Sequence, residues 1–331
     1  MIWFMGRHSA NRKDLHKITF RNYLLEQNYN HDFIDNVAIP MASLICTCSY
    51  DAVANYPAAV LVDYFARSFM RWSGVQRAKG GAKAVVTRLA KGSDVRLNAA
   101  VQSVSRNVNN NEWTLSTNNE TFQFDHIIFA TPANIAEKIL KKGECKDKEL
   151  ISVLERFQAE KSDTICHKDS KLMPVDRSLW RCVNFITVKE GCAPMVTIWV
   201  NRTIDTFADC PFDVFQTWNP VIKPDPKLVL SNASLWRPIV SLDSDEALKE
   251  LAALQGRDGL WVCGSWTRAG VPLLEQAARS GIEVAEAIGP NRRPWPVVKR
   301  EQHSSVYIDS MRWLMYSVAF MCSIGVAMLF V

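Results

Sequence analysis

The sequence predicts a mixed α/β fold with about two domains, followed by a transmembrane helix at the C-terminus. Of its 331 residues, 48% are hydrophobic and 22% are charged, which is the composition of a globular protein with a sizeable core. Strand-like runs alternate with helical patterns, and a continuous strand is followed by a glycine turn and a helix at 260–289. The third observation is an uncharged run at 313–331.

Composition excludes several classes of protein. The net charge of +5, from 39 basic and 34 acidic residues, is too small and too evenly spread to indicate nucleic-acid binding. The mean hydropathy of -0.08 excludes a polytopic membrane protein. Nine cysteines form no C-x-x-C pair and no Cys/His zinc spacing, so we predict a reducing compartment and no metal site. None of these quantities indicates the oligomeric state.

The first half of the chain predicts helices and then a strand meander. Apolar residues at helical spacing predict helices at 14–27 and 58–70. A glycine pair, Gly80 and Gly81, opens a further short helix. The strand-like runs of 95–130, separated by Asn-rich turns, predict a meander that returns to a buried strand.

The second half predicts a strand-and-loop region and then a strand–turn–helix. Residues 163–219 mix strand-like runs with polar loops, and a helical pattern covers 245–254. A continuous apolar strand then ends at Cys263, and Gly264 precedes a loop and a helix. A helix N-terminus facing a strand end is typical of an anion or polar-ring site, although many α/β proteins have such a turn without a ligand.

The C-terminal run is predicted to be a single-pass tail anchor. Nineteen uncharged, mainly apolar residues span about 28 to 30 Å at 1.5 Å per residue, which matches the hydrocarbon core of a bilayer. The basic residues before it keep the main domain in the cytosol. The alternative is a buried terminal helix of a soluble core. The flanking basic residues are Arg292, Arg293, Lys299, Arg300 and Arg312.

Two segments resemble the FAD-dependent amine oxidase superfamily. The run GLWVCGSWTRAGVPLLEQAARSGIEVAEAIG resembles its C-terminal flavin-contacting segment, with Ser280, Gly281 and Ala285 in the SGxxxA spacing. The blocks GGAKAVVTRLA, VRLNAAVQSVSR and FDHIIFATPA resemble its adenine-contacting region. Further blocks are similar to a narrower branch of predicted NAD/FAD-binding oxidoreductases, like the flavoprotein portion attached to plant cyclopropane fatty-acid synthases. The resemblance runs from about Thr19 to Gly289.

The resemblance implies an FAD/NAD(P)-binding Rossmann-like domain interleaved with an α+β substrate domain. The implied segments are 1–75 (helical part of the substrate domain), 76–145 (FAD-binding), 146–255 (substrate domain) and 256–290 (FAD-binding). The prolines and the uncharged run, independently of the resemblance, predict a linker at 291–310 and a transmembrane segment at 311–331. The implied FAD contacts are Gly80, Gly81, Val101, Ala130, Thr131, Pro132, Gly264, Ser265, Trp266, Glu275, Gln276, Ala277 and Ser280.

The sequence departs from the family pattern in two places. The family begins with a strand, G-x-G-x-x-G and a helix, which place the FAD pyrophosphate on a helix N-terminus. No such motif occurs in this chain, so the Rossmann-like domain is predicted to be N-terminally incomplete and FAD binding to be weak or absent. The loop 269–275 also lacks the aromatic-Gly-Phe-His-Glu-Asp-Gly run of the narrower branch.

Four residues are candidates for a substrate cavity: His167, Asp169, Trp199 and Trp218. His167 and Asp169 would face one side of a strand, where they either line the cavity or form a hydrogen-bonded structural pair. The tryptophans could build an aromatic wall, although core packing is the commoner role. No residue is assigned as catalytic.

These expectations favour a membrane-tethered, FAD-dependent oxidoreductase that takes a hydride from a C–H or C–N bond. The tail anchor and the apolar residues of 166–219 favour a lipid or other apolar small molecule as substrate. The alternative is a truncated, catalytically inactive paralogue that acts as a tail-anchored binding module.

Overall fold

The computed structural model describes residues 13–68, 78, 80–107, 112–145, 147–187, 193–290, 293 and 326–330. The α-helices are α1 Phe20–Glu26, α2 His31–Phe33, α3 Ile39–Cys46, α4 Tyr50–Ala54, α5 Ala58–Ser68, α6 Gly81–Leu89, α7 Ala133–Lys142, α8 Lys148–Glu155, α9 Ser244–Leu254 and α10 Leu274–Ile288. The strands are β1 Val101–Arg106, β2 Trp113–Thr117, β3 Thr121–Phe124, β4 Ile127–Phe129, β5 Ala159–His167, β6 Val183–Thr187, β7 Met195–Trp199, β8 Phe215–Trp218, β9 Val229–Pro238, β10 Leu260–Val262 and β11 Val326–Phe330.

The chain divides into two compact units. Unit 1 comprises Met1–Met70, Ala159–Leu242 and Lys299–Val331, and unit 2 comprises Arg71–Gln158 and Asp243–Val298. The predicted substrate segment 146–255 is therefore divided, because its two ends belong to unit 2. The physical reason is that Leu150 of α8 and Leu251 of α9 pack in the core of unit 2.

Unit 1 contains a six-stranded sheet in the order β11-β6-β7-β8-β5-β9. Its pairs are antiparallel except for β11 and β6, which are parallel. The longest pairing joins β5 to β9, from Ala159 opposite Pro238 to His167 opposite Val229, with a bulge between Cys166 and His167. Residues directly opposite in such pairs share one face of the sheet, so this register fixes which side chains can meet.

The register defines two faces of this sheet. The first face carries Thr197, Trp199, Phe215, Thr217 and His167, and the second face carries Glu160, Thr164, Val196, Trp218 and Arg237. On the first face, Met173 and Trp180 of the following loop pack against Phe215. On the second face, Glu160 accepts hydrogen bonds from the backbone N–H and the hydroxyl of Ser49, which caps α4. The first face is thus covered by a loop of unit 1, and the second face meets its helical region.

The helices predicted at 14–27 and 58–70 are confirmed in unit 1, with different first and last residues. The pattern at 14–27 forms a 3-10 turn, Lys13–His16, and then α1, which buries Phe20 and Leu24 completely. The hydroxyl of Thr19 accepts a hydrogen bond from the N–H of Asn22 and starts α1, as expected of an N-cap threonine. The helix predicted at 58–70 is α5.

Unit 2 combines the predicted meander with a two-stranded parallel sheet. β1, β2 and β3 form the antiparallel meander, and β4 pairs in parallel with β10. The meander begins at Val101 and not at 95, because residues 95–100 form no strand. Phe129 of β4 and Val262 of β10 pack with Leu140 and Leu154 in one core. The predicted strand–glycine turn–helix is confirmed as β10, Gly264 and α10.

The helix α6 follows the glycine pair as predicted, but none of its residues is buried. Its apolar side chains Val85, Val86 and Leu89 are 42%, 63% and 78% exposed. Amphipathic helices usually bury such a stripe. In the structure described for unit 2, this helix therefore gains little from tertiary packing.

The predicted transmembrane helix at 311–331 lies outside the described residues except for Val326–Phe330. Those five residues form β11, a strand and not a helix, and pair with Val183–Thr187. Periodicity cannot separate a short strand from a helix in a continuous apolar run, so the sequence could not show this difference. Among the helices within the described ranges, none has the length and apolar character needed to cross a membrane. The predicted linker 291–310 is described only at Arg293.

Candidate functional site

The carboxyl ends of β4 and β10 lie side by side in unit 2. Ile127 pairs with Leu260 and Phe129 with Val262, and the N–H of Cys263 donates to the carbonyl of Phe129 at 2.9 Å. Ligands of open α/β sheets bind beyond the carboxyl ends of parallel strands. The structure thus brings together two groups of predicted cofactor residues, 130–132 and 264–266.

Gly264 forms the turn after β10, and Ser280 of α10 holds it. The N–H of Gly264 donates to the Ser280 hydroxyl at 2.9 Å. That hydroxyl lies 3.1 Å from the Gly264 carbonyl and 2.9 Å from the Ala277 carbonyl, so its single proton serves one of the two. Ser280 is only 4% exposed. Its hydroxyl therefore ties the strand end to α10, and its hydrogen-bonding capacity is used within the protein.

Trp266 connects the segment after β10 to the segment after β4. Its indole N–H donates to the carbonyl of Thr131 at 3.0 Å, and its ring lies 4.8 Å from that of Phe157. The side chain is buried in the core of unit 2. Gly264 has φ +143°, and a Cβ there would lie 3.1 Å from the Trp266 indole nitrogen. Both the backbone angle and the close indole therefore favour glycine at 264.

The polar side chains that begin α10 also have partners within the protein. Glu275 forms an ion pair with Arg279 at 2.7 Å, and the Gln276 amide donates to the carbonyl of Ala269 at 3.0 Å. The N-cap residue Leu273 makes no side-chain capping bond. Ala277 and Ser265 are half-buried. The positive end of the α10 dipole is consequently the feature of this helix start that would attract a negatively charged ligand group.

Three predicted cofactor residues lie on other elements of unit 2. Gly80 and Gly81 are exposed at the start of α6, with φ of +80° and +70°. Val101 is half-buried and opens β1 opposite Thr117. None of the three belongs to the segments that follow β4 and β10. The structure does not assemble them into a phosphate-binding loop.

The residues present fit FAD only in part. The junction of β4, β10 and α10 is the strand–turn–helix that the resemblance assigns to the flavin ring. The side-chain groups of Ser280, Trp266 and Gln276 are bonded to protein carbonyls. With no G-x-G-x-x-G run in the sequence, these residues do not supply a cradle for the pyrophosphate.

In unit 1, His167 is fully buried on the first face of the sheet. Its Nδ1 accepts a hydrogen bond from the N–H of Asp169 at 3.2 Å. A neutral imidazole then carries its proton on Nε2, which lies 2.7 Å from the Thr217 hydroxyl. Burial lowers the pKa of His167, which favours this neutral form.

Asp169 holds the loop after β5. Its carboxylate accepts hydrogen bonds from the N–H groups of Lys171 at 3.0 Å and Asp225 at 2.8 Å. Burial opposes ionisation, but these two N–H donors outweigh it and hold the pKa of Asp169 below its ordinary value. His167 and Asp169 therefore have protein partners for their polar atoms, as in the structural-pair alternative.

Trp199 and Trp218 project from opposite faces of the sheet. Trp199 pairs with Phe215 and lies on the first face, where its ring meets Trp180 at 5.2 Å. Trp218 pairs with Val196 and with Thr164, on the second face. The structure therefore does not bring the four predicted cavity residues onto one surface.

Sequence reasoning missed a buried polar row on the first face. The hydroxyls of Thr197 and Thr217 lie 2.8 Å apart, and the amide of Asn184 donates to the Thr197 carbonyl at 3.3 Å. All three residues are at most 1% exposed. Polar residues at core-facing positions of apolar strands could have indicated it, but only with the strand register known. Among the described residues, no group of three His, Cys, Asp or Glu side chains could hold a metal ion.

The chain is similar to flavin-dependent oxidoreductases. The model of the flavin containing amine oxidoreductase family matches residues 12–162, and no curated protein sequence matches. The CLA-producing fatty acid isomerase from P. acnes has a TM-score of 0.57 and 12% identity, over 85% of this chain and 69% of that chain. A double mutant of putrescine oxidase has a TM-score of 0.54 and 15% identity, over 87% of this chain and 72% of that chain. Cyclohexylamine oxidase from Brevibacterium oxydans has a TM-score of 0.50 and 13% identity, over 86% of this chain and 70% of that chain.

Similarity at these identities shows a common fold, and the family match adds a relationship in sequence. The matched residues include the meander, β4 and the helices α1 to α8. The α/β fold described above is that of the solved amine oxidases. Residues 12–162 thus match the flavin containing amine oxidoreductase family in sequence, and the chain shares its fold with solved amine oxidases.

Proposed function

We propose that the chain is a flavin-dependent oxidoreductase-like protein of the amine oxidase type. Proteins of this type remove a hydride from a C–H bond, such as the one next to an amine nitrogen, and the flavin accepts it and supplies the redox chemistry. The observation that carries the proposal is the junction of β4, β10 and α10, where Ser280 and Trp266 fix the Gly264 turn at the carboxyl ends of two parallel strands. The flavin ring would lie against residues 130–132 and 264–266.

The alternative is a binding module without catalysis. It is favoured by the internal bonds of Ser280, Trp266 and Gln276 and by the lack of a pyrophosphate cradle in this sequence. Both readings agree that FAD binding by these 331 residues alone is weak or absent. They differ in whether the junction of β4, β10 and α10 binds a flavin when a pyrophosphate-binding segment is also present.

Reconstitution with FAD separates the two proposals. The 331-residue chain is compared with the same chain preceded by a strand–G-x-G-x-x-G–helix segment, and the absorbance spectrum of each is recorded after removal of free FAD. We expect flavin bands from the extended chain and little or none from the 331-residue chain. An extended, folded chain without flavin would overturn the oxidoreductase proposal in favour of the binding module. Stoichiometric FAD on the 331-residue chain would show that other residues of this chain bind the FAD pyrophosphate.

We further propose an apolar substrate and attachment to a membrane through 311–331. The support is the uncharged C-terminal run and its basic flank, whereas the pairing of Val326–Phe330 with β6 counts against a span that includes those five residues. The apolar residues of 166–219 give less support than the sequence suggested, because Met173, Phe185 and Phe215 are buried in unit 1. The similar structures include both a fatty acid isomerase and amine oxidases, so they do not favour a lipid over an amine. Reduction of a reconstituted flavin by an alkylamine but by no lipid would replace the apolar-substrate proposal.

A further inference from the structure

Arg237 of β9 has no counter-charge among the described residues. It lies opposite Glu160 of β5 on the second face of the sheet. The two carboxylate oxygens of Glu160 instead accept from the N–H of Ser49 at 2.8 Å and from its hydroxyl at 2.6 Å. The Nε atom of Arg237 is shielded from solvent and has no hydrogen-bond partner. The acidic side chain directly opposite Arg237 is thus bonded to the residue that caps α4.

A half-buried guanidinium without a partner is unfavourable. Burial lowers the pKa of Arg237, yet an arginine side chain remains charged at neutral pH. Its guanidinium carbon lies 5.9 Å from the ring centre of Trp218, a distance at which cation–π attraction offsets only part of the lost hydration. By contrast, Arg177 stacks on Trp180 at 4.3 Å and also pairs with Asp213 at 2.8 Å. Arg237 has the aromatic neighbour but lacks the carboxylate.

Apolar surface lies beside this charge. Leu235 is two positions before Arg237 in β9, so both side chains project from the same face. Leu235 is 46% exposed, and Trp218 is half-buried on the same face. An arginine without a counter-charge that shares its face with a leucine and a tryptophan is suited to a ligand with an anionic head and an apolar body.

We propose that Arg237, Trp218 and Leu235 form a binding site for the carboxylate of a ligand with an apolar body. The planar guanidinium fork matches a carboxylate in shape and hydrogen bonding. On this face the directly opposed strand residues supply no second cation, and the nearby Glu160 disfavours a dianion more than a monoanion. A carboxylate is therefore favoured over a phosphate, and a protonated amine is repelled. The proposal needs only residues of unit 1 and does not rest on flavin binding.

Calorimetric titration of the full chain tests this site with three matched probes: 3-phenylpropionate, 3-phenylpropanol and 3-phenylpropylamine. We expect the carboxylate to bind and the alcohol and amine to bind at least tenfold more weakly. Arg237→Gln should raise the Kd for the carboxylate about 10- to 100-fold, as loss of a charged hydrogen-bonded pair does. Arg177→Gln is the matched control, because Arg177 also stacks on a tryptophan but already has a carboxylate.

The variants are checked by circular dichroism, and Arg237→Lys provides a second, charge-conserving test. This variant should bind the carboxylate with intermediate affinity, since it keeps the charge and loses the fork. Failure of the wild type to bind 3-phenylpropionate, or equal binding by Arg237→Gln, would overturn the proposal. Inorganic phosphate binding as tightly as 3-phenylpropionate would overturn the assignment to a carboxylate.

Discussion

Replacing Ser280 with alanine removes the group that ties the end of β10 to α10. The hydroxyl accepts from the N–H of Gly264 and donates to a carbonyl of Gly264 or Ala277. Because the residue is only 4% exposed, water does not readily replace the missing oxygen. We expect Ser280→Ala to lower the free energy of unfolding.

The magnitude follows from two opposing effects. Leaving the buried N–H of Gly264 without an acceptor costs about 1–3 kcal/mol. Alanine is a better helix former than serine in α10 by about 0.5 kcal/mol, which offsets part of that cost. We therefore expect a net loss of about 0.5–2.5 kcal/mol.

Urea unfolding of the full chain, followed by near-ultraviolet circular dichroism, measures this loss. The matched control is Ser152→Ala, which removes an exposed hydroxyl from the middle of α8 in the same unit. That variant should change the free energy of unfolding by less than about 0.5 kcal/mol. Equal unfolding midpoints for Ser280→Ala and Ser152→Ala would refute the assigned role of the Ser280 hydroxyl.

Three other predictions concern the turn, the buried histidine and the tail. Gly264→Ala should lower the free energy of unfolding by about 1–3 kcal/mol. The control Gly92→Ala should cost less, because both glycines have positive φ but, of the two, only Gly264 has a close neighbour, Trp266. Equal urea midpoints for the two variants would contradict this prediction. Because burial lowers the pKa of His167 below its ordinary 6.5, its contribution to stability is present above pH 6.5 and lost as pH falls below it. Unfolding midpoints at about pH 7.5 and pH 5.5 should thus differ more for the wild type than for His167→Gln; equal differences would exclude this role. Alkaline carbonate should release a chain ending at Gly289 from membranes but not the full chain, and equal release would remove the case for an anchor at 311–331.

The parts of the fold that follow from local pattern were predictable. The glycine pair before α6, the Asn-rich turns of the meander and the apolar strand before Gly264 each have a local physical signature. The strand β9 was not predicted at all, and only the end of β5 falls in the region that was expected to contain strands. β9 is exposed along most of its length, so burial imposes no alternation on its sequence. The ends of strands and helices were also less predictable than their existence.

The candidate sites were predictable only where they depend on one segment. Gly264, Ser265 and Trp266 are neighbours in sequence, and their turn could be expected from the strand before it. The opposite orientation of Trp199 and Trp218 depends on the register between β7 and β8, which no single-strand pattern contains. Arg237 could not be recognised in advance, since its lack of a partner depends on Ser49 holding Glu160.

The exposure of α6 has a consequence for local dynamics. A helix of 9 residues is shorter than the about 12 to 15 at which isolated helices become stable in water, and α6 buries no side chain that would compensate. Its backbone hydrogen bonds should therefore open at a free-energy cost far below that of global unfolding. Amide protons of Val85, Val86 and Leu89 should exchange with deuterium much faster than those of Leu140 in α7, which is completely buried. The same opening would make α6 an early point of cleavage by a protease added to the native protein.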